Sequence, residues 1–181
     1  MPPTTDMVTF IVTEQRVSDG PRLWTALRKA IPDALIHATG FRDVTRLDAA
    51  DEAGDIAQRI TSACADCVGH LTLLVTETES TVDAIQQGAI AVSTKHVGRD
   101  DSFRFRLQKR GSHWLEPPTP ELERTIGGAI WDALQNKYDE EPEVDLNHPD
   151  VTVRAEVLGP ITGIGITRKA WLIDASPDVS E

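Results

Sequence analysis

Basic residues are in short supply in this chain. Its 181 residues carry 18 Lys and Arg against 29 Asp and Glu, a net charge of −11, which argues against a surface that is basic all over, the usual form of a general nucleic-acid binder. Cysteine is nearly absent as well. Cys64 and Cys67 are too few for a disulfide framework and fit a reducing cytosol. No run of eighteen apolar residues occurs, and Met1–Asp6 has neither the basic nor the apolar region of a secretory leader, so the expectation is a cytoplasmic chain with no membrane span. Also missing are G-x-S-x-G, H-E-x-x-H, a Walker loop and a G-x-G-x-x-G after a strand. Hydrolytic, phosphate-loop and dinucleotide chemistry therefore have no motif to rest on, and the chain is expected to have no catalytic residues and no cofactor. Its length allows a core in one domain or two small ones, and is expected to be too short for a full catalytic domain beside a full binding domain.

What is present concentrates in Ser102–Ile130, SFRFRLQKRGSHWLEPPTPELERTIGGAI. Phe103, Phe105 and Leu107 alternate with Arg104, Arg106 and Gln108, the period of a half-buried strand with two arginines on its outer face. Lys109, Arg110, Gly111, Ser112, His113 and Trp114 continue this basic edge into a loop. Between Arg99 and His113 the local charge is +3, which leaves −14 for the remainder. An acidic chain that keeps its positive charge in one place points to an anionic ligand. Thr119, Pro120 and Glu121 then read as a helix start whose N-terminus (Thr119–Leu122) adds backbone donors, with Thr119 as the cap. The competing reading is that Arg104 and Arg106 merely pair with carboxylates on a neighbouring strand.

Taken in order, Met7–Thr13 reads as a buried strand, Gly20-Pro21 opens a helix that Pro32 stops, and Ala34–Thr39 with Val44–Leu47 reads as an extended pair. A second helix starts near Asp51 and Leu71–Val75 follows as a short strand. This order implies a small ferredoxin-like α+β unit. Ser80 with Asp83 is a capping-box start for a helix bearing Val82, Ile85, Ala89 and Val92. After the helix that buries Leu122, Ile126 and Ile130, Val144–Leu146 reads as a short strand. Val151–Val157 reads as a strand with Thr152, Arg154 and Glu156 on a wet face, and Ile161–Thr167 as a glycine-broken strand ending in Arg168 and Lys169. Gly127 and Gly128 inside a helix imply close backbone packing, and Gly163 and Gly165 leave room for another backbone or a ligand.

Cys64-Ala-Asp-Cys67-Val-Gly-His70 offers C-x-x-C and a nearby histidine, three ligands for a zinc ion. No second pair closes such a shell, so the favoured reading is two small residues near a helix end, with no metal site. Asp145 and Asp150 flank Pro149 where a turn needs side-chain acceptors.

The segments FRFRLQKRGSHWLEPPTPELERTIGGAI and VDLNHPDVTVRAEVLG resemble a THUMP domain: a Phe-Arg strand, a basic turn, a helix with Ile126-Gly127, an Asp-Leu step, a Pro-Asp turn and a V-x-V-x-x-E strand. The likeness covers about Leu71–Ile173, and Met1–Ser62 is similar to the ferredoxin-like half that accompanies such domains. It implies an α+β fold with an N-terminal ferredoxin-like unit (1–70) packed against a THUMP α/β domain with a mixed sheet (71–174), then a tail (175–181). It also implies binding of tRNA at its acceptor stem and 3′ end. Among such proteins the chain is most similar to stand-alone adaptors of the tRNA acetyltransferase that forms acetylcytidine, so the implied partners are tRNA and a modification enzyme. Arg104, Arg106, Lys109, Arg110 and His113 match the basic strand and loop, whereas Gly127, Asp145, Pro149 and Asp150 match structural positions. Arg124, Arg168 and Lys169 are expected to add phosphate contacts and Trp114 to stack on a base. The rival readings are a metal-binding enzyme using Cys64, Cys67 and His70, and a protein-binding module with an acidic surface.

Overall fold

The computed structural model describes residues 6–16 and 18–172. They fall into two compact units, the described residues up to Leu71 together with Ala170–Leu172, and Thr72–Lys169. In the first, β1 (Val8–Glu14), α1 (Gly20–Ala30), β2 (Leu35–Ala38), β3 (Val44–Ala49), α2 (Ala53–Ala63) and the start of β4 (Val68–Glu79) follow one another. Strand order is β2-β3-β1-β4, antiparallel between β2 and β3 and between β3 and β1. The two helices bury Leu23 and Leu27 from α1 and Ile56, Ala57 and Ile60 from α2. Trp171 returns to this unit and meets the Phe10 ring edge-on. This β-α-β-β-α-β series is the expected ferredoxin-like arrangement.

The second unit contains β4 from Thr72 on, α3 (Val82–His96), β5 (Phe103–Arg110), α4 (Thr119–Tyr138), β6 (Val151–Leu158) and β7 (Ile161–Arg168). Its strands lie in the order β4-β7-β6-β5. The sheet is mixed: β4 pairs antiparallel with β7 and β7 with β6, while β6 and β5 run parallel. A parallel neighbour requires a long crossover, and α4 supplies it between β5 and β6. The core comes from Ile85, Ala89 and Val92 of α3, Leu122, Ile126, Ile130 and Leu134 of α4, and Phe103, Phe105, Val151, Val153, Ile164 and Ile166 of the sheet.

Several elements differ from the sequence expectation, each for a local reason. β4 extends to Glu79 because Thr76–Glu79 pair with Ile161–Ile164 beyond a bulge at Leu74/Thr76. The cap of α3 is Thr81, whose hydroxyl accepts from the N–H of Ala84, and Ser80 is instead buried against Thr162. The Val144–Leu146 strand shrinks to a single bridge, Val144 to Phe103. The wet face assigned to β6 is absent: Thr152, Arg154 and Glu156 are all buried. β6 is an inner strand between β5 and β7, and alternating polarity there reflects a buried charge pair.

Gly165 answers the expectation of close backbone approach. A Cβ at that position would lie 1.9 Å from the carbonyl oxygen of Leu73, and a backbone atom in a paired strand cannot withdraw. Gly128 does not answer it, since a Cβ there would meet nothing within 4 Å. Gly165→Ala should therefore lower unfolding stability by about 3 kcal/mol. Gly128→Ala should raise it by about 1 kcal/mol, from helix propensity alone. Urea denaturation midpoints at unchanged slope read both.

Candidate nucleic-acid interface

β5 is the edge strand of its sheet, and its alternation sends Phe103, Phe105 and Leu107 to the helices and Arg104, Arg106, Gln108 and Arg110 to the opposite face. The parallel register places Arg104 beside Thr152, Arg106 beside Arg154 and Gln108 beside Glu156. Arg154 thus joins the arginine face, although nothing in its own strand's pattern marked it. Only the strand pairing brings it there.

These guanidinium groups are not equivalent. Arg110 donates to Glu156 at 2.6 Å, and the Glu156 side chain is 0% exposed, so that charge is neutralised inside the protein. Arg106 meets Glu123 at 3.2 Å, and the other oxygen of Glu123 accepts from the N–H of Leu107. Arg104 donates to the Thr152 hydroxyl and to the Leu146 carbonyl, so neither of its hydrogen-bond acceptors is a carboxylate. Burial and the neighbouring Arg106 hold its pKa below the usual arginine value. Both causes disfavour its charge, and an incoming anion would relieve the second. Arg124 lies exposed on the same edge, and no hydrogen bond or ion pair holds it among the described residues.

The loop after β5 is separate from this group. Lys109 sits on the helix-facing side of the strand, and its Nζ donates to the carbonyls of Leu115 and Pro117, folding the loop back on itself. His113 Nδ1 accepts from the N–H of Leu115. Trp114 stands out at 65% exposure. Arg168 and Lys169 lie near the other end of the strands, because Arg168 pairs with Val151, which pairs with Phe103. Arg168 bonds the His96 carbonyl and faces Asp101. The expected site residues therefore form one group at Arg104, Arg106 and Arg124, a loop group, and a distant pair.

The helix start is poorer in donors than the sequence implied. Pro118 is the N-cap, Pro120 has no N–H, and the N–H groups of Glu121 and Leu122 both return to the Pro118 carbonyl. Thr119 is consequently the first helical residue and makes no side-chain cap. The Asp145 and Asp150 turns behave as expected. Asp145 accepts from the N–H groups of Asn147 and His148, and Asp150 from the N–H and hydroxyl of Ser102. These bonds hold both carboxyl groups below the ordinary aspartate value, and they fix the Leu146 carbonyl under Arg104.

Cys64, the C-cap of α2, and Cys67 are joined as a disulfide. The group of potential metal ligands here is Cys64, Asp66 and Cys67, within 4.8 Å of one another, and His70 is not part of it. His70 is exposed on β4, where its N–H donates to the Thr13 hydroxyl. Asp66 is engaged by Arg22 at 2.9 Å. The three-ligand arrangement of Cys64, Cys67 and His70 is therefore not assembled: both sulfurs are bonded to each other.

Because the folded-state pKa of Asp150 is depressed, its stabilising contribution is complete above the ordinary aspartate range, about pH 4, and is lost as pH falls below it. Asp150→Asn should reduce the loss of stability as pH falls below the ordinary aspartate range of about 4. Denaturation midpoints across that range check it.

Residues 79–167 match the family model described as the THUMP domain. Over 137 residues the chain is 28% identical to a tRNA sulfurtransferase of Shewanella pealeana, covering 75% of this chain and 23% of that one. Over 89 residues it is 29% identical to a probable tRNA sulfurtransferase of Limosilactobacillus fermentum, covering 49% and 20%. The chain thus spans about a fifth of the length of these relatives. Among solved structures it shares a fold with a 4-thiouridine synthetase in complex with RNA and ATP, at TM-score 0.54 and 14% identity, over 90% of this chain and 42% of the other. With the basic edge strand, its crossover helix and the Asp145–Asp150 turn in the places that the motifs implied, this chain carries a THUMP domain over residues 79–167.

Proposed function

We propose that this protein binds tRNA without transforming it, and presents the acceptor stem and 3′ end to a tRNA-modification enzyme. One observation carries the reading: Arg104, Arg106 and Arg124 converge on one edge of the THUMP sheet, where Glu123 is the one carboxylate among the described residues that line the cleft there, in a chain whose net charge is −11. Guanidinium groups in that setting suit phosphate, whose oxygens accept paired N–H donors. The THUMP match and the tRNA-modifying relatives support RNA as the anion. The solved fold relative held as an RNA complex supports it further. The partner enzyme we favour is an acetyltransferase forming acetylcytidine, from the likeness to stand-alone adaptors. Co-purification from native cells, with identification of both protein and RNA, tests that choice: recovery of a sulfur-transferring enzyme instead would replace it.

Lys109 and Arg110 act at one remove in this reading, one ordering the loop and the other anchoring Glu156. Trp114 offers an exposed ring on which a base can stack. Arg104→Ala with Arg106→Ala should weaken tRNA binding ten- to a hundredfold, as expected for charge-assisted hydrogen bonds of about 1.5–3 kcal/mol. It should also lower the slope of log affinity against log salt by about 2, close to one per phosphate released. Trp114→Ala should weaken binding by about 1–3 kcal/mol with no change in folding stability. Titrations of intact tRNA and of tRNA lacking its 3′ end, at several salt concentrations, measure all three quantities. Undiminished binding by the double arginine variant would sink the reading.

A further inference from the structure

The bond between Cys64 and Cys67 spans a sequence separation of 3, a loop so short that it constrains the unfolded chain less than a long one does. The surroundings of the two sulfurs are unequal. Cys67 is 0% exposed, and its backbone is fixed on both sides: its N–H donates to the Cys64 carbonyl, and its C=O accepts from the N–H of Gln15. Cys64, at the end of α2, is half-buried and lines an open groove of about 770 Å³ between α1 and that end of α2, in the size range of small-ligand sites. The short side chains of Ala26, Ala30 and Ala63 leave this groove open. One cysteine of the pair is thus reachable and the other sheltered. Thiol–disulfide exchange depends on that asymmetry, because access and the choice of sulfur attacked control its rate.

Charge restricts the occupant. Arg22 and Lys29 both line the groove, at positions i and i+7 on one face of α1. Arg22 is engaged, donating to Asp66 at 2.9 Å and standing 3.7 Å from Asp19. Lys29 is exposed, with no hydrogen bond or ion pair among the described residues, and is the cation left for a ligand. Asp66 lies 3.5 Å from the Cys64 sulfur and 3.9 Å from that of Cys67, where it can accept an S–H once the bond opens. Arg22 offsets its repulsion of an incoming anion. We propose that Cys64 and Cys67 form a thiol–disulfide exchange site for a small thiol bearing a carboxylate, which Lys29 holds in the groove while its sulfur reaches Cys64. The thiolate attacks Cys64 Sγ and a new S–S bond forms. The Cys64–Cys67 bond breaks with its electron pair leaving on Cys67, which takes a proton from water. A second thiolate attacks the ligand sulfur of this mixed disulfide and releases Cys64, which is protonated in turn. Two ligand thiols are oxidised to one disulfide, and the protein disulfide is reduced to two thiols. The reverse reaction, starting from the ligand's own disulfide, restores the pair.

Glutathione, a small peptide thiol with free carboxylates, is the probe. The full chain is incubated with it under native conditions, free thiols are trapped by alkylation, and intact and peptide masses are read. The folded parent should lose its disulfide, a readout independent of any variant. Offered oxidised glutathione, Cys67→Ser should carry glutathione on Cys64, whereas Cys64→Ser, whose remaining thiol is buried, should react at least about tenfold more slowly. Lys29→Ala, at an exposed position, should keep the parent's denaturation midpoint and react with glutathione about two- to fivefold more slowly. Its reaction with mercaptoethanol, which has no carboxylate, should stay at the parent rate, and high salt should erase the difference between the two proteins. A disulfide that glutathione opens only in denaturant is a structural staple and overturns the proposal. Equal reactivity of the two cysteine variants overturns it as well, as does a Lys29→Ala rate that is unchanged or equally slowed with both thiols. Opening by a dithiol protein but not by glutathione assigns the pair to a protein partner, and the proposal fails. Stoichiometric zinc on the reduced chain, lost in Cys64→Ser and accompanied by no reaction with glutathione, assigns Cys64, Asp66 and Cys67 to a metal instead.

Discussion

The parallel pairing of β5 with β6 decides the chemistry of this face. In that register four arginines, Arg104, Arg106, Arg110 and Arg154, fall on one side of two adjacent strands. Like charges at such spacing repel strongly wherever water is excluded, so the pairing is tolerable only with internal anions. Glu156, fully buried, serves Arg110 and lies 3.9 Å from Arg154, while Glu123 reaches from α4 to Arg106. A buried ion pair contributes little net stability, but removing one member leaves the other stranded at a cost of about 3–5 kcal/mol. Glu156 is therefore a structural requirement of a basic face.

The same pairing makes β5 an edge, and an exposed edge invites association with other chains. Here the edge is managed piecemeal. The segment Glu143–Asp145 lends one bridge to Phe103, held by the Asp145 and Asp150 turns, and the Glu123 carboxylate occupies Leu107. Arg104 and Arg106 reach over to the Leu146 carbonyl. The residues that blunt the edge are also those that gather the cations around it. Architecture and ligand affinity are thus served by one set of contacts.

Charge is distributed accordingly. An acidic molecule repels polyphosphate except where its cations outnumber its carboxylates locally, which gives orientation as well as affinity. Arg104, whose acceptors are a hydroxyl and a carbonyl, and Arg124 stand on the same edge, and the exposed Trp114 stands beyond the end of β5. Arg168, in contrast, spends its donors on the His96 carbonyl and Asp101.

Much of this was legible in the chain itself. Period-two alternation disclosed β5 and β6, because a strand with one apolar face must write that face into every second residue. Proline placed the start of α4 to within a residue, and aspartates placed the turn after Val144, because these effects act between near neighbours. The THUMP motifs followed from the same local signals in order. What the sequence could not contain was register: that Arg154 would stand beside Arg106, that Glu156 would be buried instead of wet, and that Lys109 would turn inward to its loop. Those facts depend on which strand becomes the neighbour and in what alignment. That choice is made by burial of the two helices against the sheet, an interaction summed over residues far apart in the chain and fixed only when the whole unit packs.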